Sequence, residues 1–96
     1  MDELDPVIHV QARLRIVTAL DTLGPGDSLS FPRLQTLLGV TSGNLATHLR
    51  KLEESRYVKV RKVLEGRAPV TYISLTEDGR HAFRAYKKTL RALLEL

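Results

Sequence analysis

The 96-residue sequence contains no cysteine and no tryptophan, and only three tyrosines and two phenylalanines. Without cysteine, disulfides, thiolate metal sites and cysteine nucleophiles are excluded. With so few aromatics, the chain has no platform of rings on which to stack unpaired bases, which weighs against RNA as a ligand. No apolar run approaches the roughly 18 residues of a membrane span. The opening MDELDPVIHV is acidic and does not read as a secretory signal. The expectation is therefore a cytoplasmic protein with no membrane partner. No glycine-rich loop follows a strand, which argues against a nucleotide phosphate cradle. His9, His48 and His81 are far apart in sequence and lack an i, i+4 partner, so neither a zinc site nor any other cofactor is expected. Nothing poises a nucleophile, and the chain is small for a catalytic cleft, so no enzymatic activity is expected.

What is present is an ordinary globular composition, 43% hydrophobic and 27% charged. A chain of this length fits one domain, residues 1–96, around one modest core. Net charge is +4 and is unevenly distributed: residues 1–40 carry −2, residues 41–67 carry +4 and residues 68–96 carry +2. The middle of the chain is where a polyanion would be met.

Asp5-Pro6 has the form of a helix cap followed by proline at the first helical position, predicting an N-terminal helix over about 6–23. Two apolar stripes run along it. Ile8, Ala12, Ile16, Ala19 and Leu23 form one; Val7, Val10, Leu14 and Val17 form the other. Such a helix needs burial on two sides, and either a compact three-helix core or a partner subunit would provide the second. A Gly-Pro-Gly-Asp turn follows, then a very short strand at residues 28–30. Ser30 can cap a second helix that has Pro32 in its first turn, Phe31, Leu34, Leu37 and Leu38 at helical spacing, and Gly39 as its left-handed end.

Only Val40 and Thr41 separate this helix from the stretch TSGNLATHLRKLEE, residues 41–54, around which the chain is organised. Leu45, Leu49 and Leu52 recur at i, i+4 and i+7, giving one apolar stripe. Gly43, Asn44, Thr47, Arg50 and Lys51 fall on or near the opposite face, flanked by Ser42 and His48, and Thr41 or Ser42 can cap the helix. Asn pairs with base edges, hydroxyls are tolerant contacts, and Arg and Lys neutralise phosphate. The same face on a lone helix would read as a solvated surface. Two short helices joined by a tight glycine-containing turn, however, make a helix-turn-helix.

Beyond Glu54 the apolar period changes from 3.6 to 2. Tyr57–Leu64 and Val70–Leu75 read as strands around a turn at Glu65–Pro69, a hairpin carrying Lys59 and Arg61 outward and Arg67 at its tip beside Gly66. Thr76-Glu77-Asp78 then opens a last helix over about 77–95, with Ala82, Phe83, Tyr86, Leu90, Leu93 and Leu94 along one side. Its leucine-rich end overhangs so small a domain and invites a partner.

The order helix, short strand, helix, turn, helix, hairpin, helix defines the fold class as α+β, mainly α: a winged helix-turn-helix with a three-helix core, a β-hairpin wing and a long C-terminal helix. LQTLLGVTSGNLATHLRKLEESRYVKV and GRAPVTYISLTEDGR, at their spacing, resemble MarR/ArsR-like winged-helix transcriptional regulators, the small stand-alone kind with a GNL-x-x-HL-x-x-LE helix. The similarity spans about Arg13 to Phe83. It implies a homodimer that binds double-stranded DNA at a pseudo-palindromic operator, with half-sites about 10 bp apart or a multiple of that. Thr41 to Lys51 would enter successive major grooves, with Ser42, Asn44, Thr47 and His48 at base edges. Arg50, Lys51, Lys59, Arg61 and Arg67 would hold phosphates, with the wing at Gly66 and Arg67 on adjacent backbone or minor groove. The terminal helices would form the dimer interface through Val7, Val10, Leu14, Tyr86, Leu90, Leu93 and Leu94. A small-molecule effector is left open, since no residue marks a pocket for one. The alternative is a winged helix used as a protein–protein interaction module, which would place apolar anchors on the outer face where this sequence has none.

Two departures stand out. The family usually has glycine before the Tyr-Val that opens the wing, and here that position is Arg56. Either Arg56 accepts a left-handed turn at roughly 1 kcal/mol, or the turn differs and the wing is re-aimed. The ArsR-type cysteine metal motif is also missing.

Overall fold

The computed structural model describes residues 3–96. Four helices, α1 (Gln11–Asp21), α2 (Phe31–Leu38), α3 (Ser42–Glu54) and α4 (Glu77–Leu94), surround a three-stranded antiparallel sheet. Its strands are β1 (Leu29–Ser30), β2 (Val58–Glu65) and β3 (Ala68–Leu75), in the order β1-β3-β2. This is the winged helix-turn-helix that the sequence pattern predicts.

The helix ends follow from single side chains. Ser30 accepts from the Arg33 N–H at 3.3 Å, and α2 stops at Gly39 with φ 65°. Thr41 caps α3 by accepting from the Asn44 N–H at 3.1 Å. Thr76 caps α4 by accepting from the Gly79 N–H at 2.9 Å. From each helix the apolar stripe goes inward: Ile16, Val17 and Leu20 from α1, Leu34 from α2, Leu45 and Leu52 from α3, all at most 2% exposed. The inner face of the hairpin adds Val58 and Ile73, and α4 adds Phe83 and Tyr86. Each such side chain contributes about 1.5–3 kcal/mol.

The N-terminal segment corrects one expectation. Asp5 does act as a cap, its Oδ1 accepting from the N–H groups of Val7 (2.8 Å) and Ile8 (3.3 Å), but it caps a single turn. The chain then extends at Val10 (φ −135°, ψ 126°) and α1 begins at Gln11, not at Pro6. The break lets Ile8 enter the core fully buried, while His9 Nδ1 meets the Tyr86 hydroxyl at 2.9 Å.

The hairpin is also longer than its alternation suggests. Pairing runs out to Glu65↔Ala68, leaving Gly66 and Arg67 alone as the turn. Positive φ at Gly66 (64°) but not at Arg67 is the pattern of a type II′ connection. The radius of gyration, 14.0 Å, exceeds the roughly 12–13 Å of a compact chain of this length. The long axis of 54 Å compares with a hairpin of about 26 Å and an α4 of about 27 Å laid end to end.

Candidate nucleic-acid interface

Helix α3 is held from one side only. Leu45, Leu49 and Leu52 are 1%, 4% and 0% exposed, which fixes the helix about its axis and turns the other face outward. On that face Ser42, Gly43, Asn44, Thr47, Arg50 and Lys51 are exposed, together with the cap Thr41. A Cβ built on Gly43 meets nothing within 4 Å, so the surface there is flat and open to close approach. The Thr47 hydroxyl donates to the Gly43 carbonyl at 2.9 Å, which spends its proton and leaves it an acceptor outward.

His48 is half-buried and is set by a residue that sequence reasoning did not single out. Arg13 of α1 donates from Nε to the Val7 carbonyl (2.5 Å) and faces His48 Nδ1 with Nη1 at 3.3 Å. A guanidinium can only donate, so this contact is a hydrogen bond in the tautomer whose Nδ1 is free to accept. A cation in the first turn of α1 thus stands against the ring that lies beside Asn44 and Thr47. The sequence carries no signal for this contact, because Arg13 lies 35 residues away. Arg15, nearby, donates to the Leu38 carbonyl at 2.7 Å and ties the end of α2 to α1.

The wing leaves α3 through a turn of defined hydrogen bonding. The Arg56 N–H donates to the Glu53 carbonyl and the Tyr57 N–H to the Leu52 carbonyl, both at 2.9 Å, the paired bonds of a Schellman end. Arg56 takes φ 63°. Of the two alternatives for this position, the residue accepts the left-handed turn. Its carbonyl is further fixed by the Thr76 hydroxyl at 2.6 Å, and the Tyr57 carbonyl by the Thr76 N–H at 3.0 Å. Gly79 makes this possible: a Cβ there would stand 2.1 Å from the Tyr57 carbonyl oxygen. Gly79 and Thr76 therefore aim the wing, though nothing in the local sequence separates them from an ordinary helix start.

Tyr57 fastens the same junction to the N-terminal segment by donating to Asp5 Oδ2 at 2.6 Å. Burial, and then the Asp5 carboxylate, push its hydroxyl pKa up to about 12. The Tyr86 hydroxyl is likewise raised by burial.

The cations expected to meet phosphate divide into two groups. Arg67 stands exposed at the wing tip beside Gly66, and Arg50 and Lys51 stand on α3. Lys59 and Arg61 lie back along β2, opposite Ser74 and Tyr72 of β3. There Lys59 lines a hollow with Arg80, His81 and Arg84 of α4, and Arg61 lines an adjoining one with Tyr72 and Ser74, both away from the tip. Among the described residues the ion pairs are those of Asp21 with Arg80 (3.0 Å) and Lys87 (3.7 Å). None of Arg50, Lys51, Lys59, Arg61 and Arg67 is therefore paired with an acid among the described residues.

The terminal helices distribute their apolar residues unevenly. Val7, Leu14 and Leu90 are half-buried against the core. Val10 and Leu93 are half-buried, and Leu94 is 77% exposed. Tyr86, at 3% exposure, is bonded to His9 and lies against Phe83, so most of its surface is already covered within the protomer. Among the described residues no helix is long and apolar enough to cross a membrane. Among the described residues no group of three or more His, Cys, Asp or Glu side chains could hold a metal ion.

The family of winged helix DNA-binding domains matches residues 12–94. An uncharacterized protein of Methanocaldococcus jannaschii is 46% identical over 81 residues, covering 83% of this chain and 84% of its own. A transcriptional regulator homologue from Pyrococcus horikoshii superposes with a TM-score of 0.84 at 29% identity, over 93% of this chain and 85% of that one. A MarR-family regulator structure from Enterococcus faecalis reaches 0.75 at 21% identity, over 88% and 74%, and shows the shared fold. The family match spans residues 12–94, most of the chain, and agrees with the helix-turn-helix and hairpin described above: the chain belongs to the winged helix DNA-binding domain family.

Proposed function

We propose that this protein is a transcriptional regulator that binds duplex DNA as a homodimer at a pseudo-palindromic operator, and that it acts by binding, without catalysis. The observation that carries this reading is the outer face of α3. Seven residues, Thr41, Ser42, Gly43, Asn44, Thr47, Arg50 and Lys51, are exposed on a helix whose other side is locked by three buried leucines. Asn44 supplies the bidentate edge suited to adenine, with Ser42, Thr47 and the His48 ring as flanking contacts. Arg50, Lys51 and Arg67 hold phosphates on either side. The Pyrococcus horikoshii neighbour, a transcriptional regulator homologue, supports the same reading.

Dimerisation is assigned to the exposed Leu94 and the half-buried Val10 and Leu93, with Val7, Leu14 and Leu90 at their margin. Two copies of α3 related by a two-fold axis then meet half-sites about 10 bp apart, or a multiple of that. Sedimentation of a Leu94→Lys variant tests this interface; an unchanged dimer overturns it.

The experiment for DNA binding is fluorescence anisotropy with a labelled random duplex at about 50 and 200 mM salt. A loss of roughly 10³-fold between them corresponds to about six phosphate contacts. With the operator in hand, Asn44→Ala is expected to flatten sequence preference by about 1–3 kcal/mol. Arg67→Gln is expected to weaken all sequences alike and to lower the salt slope by about one. No binding at low salt would overturn the reading and leave the protein–protein module in its place.

A further inference from the structure

We infer that the outer face of the sheet carries a second anion site, a hollow that takes a ligand bearing two or more phosphate groups. Two adjoining depressions share Lys59 and Ser74. The larger, about 440 Å³, is closed by His81 and Arg84 of α4. The smaller, about 200 Å³, adds Arg61 and Tyr72. Of these residues, Ser74, His81 and Arg84 belong to no part of the α3 surface or the wing tip.

The register explains the convergence. Lys59 stands opposite Ser74 and Arg61 opposite Tyr72, while the alternate pairs Val58↔Leu75 and Val60↔Ile73 face the core. Strand alternation therefore commits both cations to the outer face. Helix α4 follows β3 after Thr76 alone, and the close approach of Gly79 to Tyr57 lays its first turns against the end of the sheet. His81 and Arg84, three residues apart, share one side of that helix and form the lip of the hollow.

Its charge is unbalanced. Arg80 is spent on Asp21 at 3.0 Å, but among the described residues Lys59, Arg61 and Arg84 have no acid within salt-bridge distance. Glu77 is the acid in the lining. Cations gathered from a strand and a helix into one concave surface repel one another until an anion enters. The guanidinium forks of Arg61 and Arg84 match phosphate oxygens, and the Ser74 hydroxyl adds a neutral donor. Two depressions joined at Lys59 suit a ligand with two charged groups rather than a single small ion. Such groups belong either to a free polyphosphate or nucleotide, or to the backbone of a duplex running past the wing.

Titration of the full ¹⁵N-labelled chain with inorganic pyrophosphate, followed by amide NMR, tests the site. Saturable shifts are expected at Ser74, Glu77 and His81. In a His81→Gln/Arg84→Gln variant with unchanged spectral dispersion, affinity is expected to fall about tenfold or more, the loss of charge-assisted hydrogen bonds. Shifts of equal size on α3 amides, or affinity unaltered in the variant, overturn the inference. Absence of saturation does so as well. A second arm separates the two sources. If the variant lowers the salt slope on a duplex of about 30 bp, the phosphates are those of DNA; if pyrophosphate binds while that slope is kept, the ligand is a free anion.

Discussion

The hairpin is turned by a residue of positive φ at each end, and the two ends use different residues to do it. At the tip the residue is Gly66, φ 64°; at the root it is Arg56, φ 63°. At the tip nothing else holds the conformation: a Cβ on Gly66 meets no atom within 4 Å, and the neighbours are a single ladder pair, Glu65↔Ala68. At the root the conformation is held from three directions, by the Schellman bonds to Leu52 and Glu53, by the Thr76 hydroxyl and by the packing of Gly79 under Tyr57. Where the surroundings determine the backbone, residue type is free to follow another demand, and here a cation replaces glycine. Where they do not, glycine is retained. The root is thus the rigid end of the wing and the tip its adaptable end, the arrangement suited to a wing that must be aimed accurately yet settle on an irregular backbone.

The largest effect expected on this contrast comes from Gly79→Ala. A methyl group 2.1 Å from the Tyr57 carbonyl oxygen forces α4 and the wing root apart. Against the helix-propensity gain of about 1 kcal/mol for alanine, overpacking against backbone costs about 3 kcal/mol. A net loss of stability of about 2 kcal/mol in urea denaturation is expected, together with a lower salt slope in DNA binding as Arg67 is displaced. Unaltered stability would mean that the root is not the rigid end.

Exchanging the two turn residues sharpens the comparison. Gly66→Ala is expected to cost about 1 kcal/mol, because alanine in the left-handed region has nothing to compensate it. Arg56→Gly relieves a similar strain, but glycine adds about 0.4–1 kcal/mol of unfolded-chain entropy. The expected gain is at most about 0.5 kcal/mol. Equal and opposite changes at the two positions would show that surroundings contribute nothing at the root.

The same distinction explains which parts of the molecule the sequence discloses. Ser30, Gly39, Thr41 and Thr76 act through residues three or four positions away, so their roles are legible from local pattern. The leucine periodicity of α3 names its outer face for the same reason. The hairpin alternation gave both strands, but Ala68 and Pro69 joined the ladder because pairing with Glu65 and Leu64 outweighs their poor strand propensity. Contacts across the fold are not legible: Arg13 on His48, Gly79 under Tyr57, and Lys59 beside Arg84 join residues far apart in the chain. Tyr86 is another such case: its spacing places it on the apolar side of α4, and the contact with His9 of the N-terminal segment is what covers it within the protomer. Arg56 could be narrowed to two alternatives from sequence, and the hydrogen bonds around it choose one.

The smallest expected effect compares two tyrosine–carboxylate bonds, one at each end of the hairpin. Tyr57 donates to Asp5 at the half-buried root, and Tyr72 donates to Glu65 near the exposed tip. Both hydroxyls are raised, Tyr57 by burial first, to about 12, and Tyr72 by its hydrogen bond to Glu65 first. A folded-state pKa above the ordinary value of about 10 means that the proton is kept longer in the folded chain than in the unfolded one. The contribution of Tyr57 is then complete below pH 10 and lost as pH rises through about 12. Because the ring is partly open to solvent, the fall is expected to be modest. Measured as urea midpoints from pH 8 to 11.5, the fall should shrink in Tyr57→Phe to the part due to the buried Tyr86 and keep its size in Tyr72→Phe, since at the tip water replaces the bond at little cost. A pH dependence that instead follows Tyr72 would place the stronger anchoring at the tip and reverse the assignment of rigid and adaptable ends.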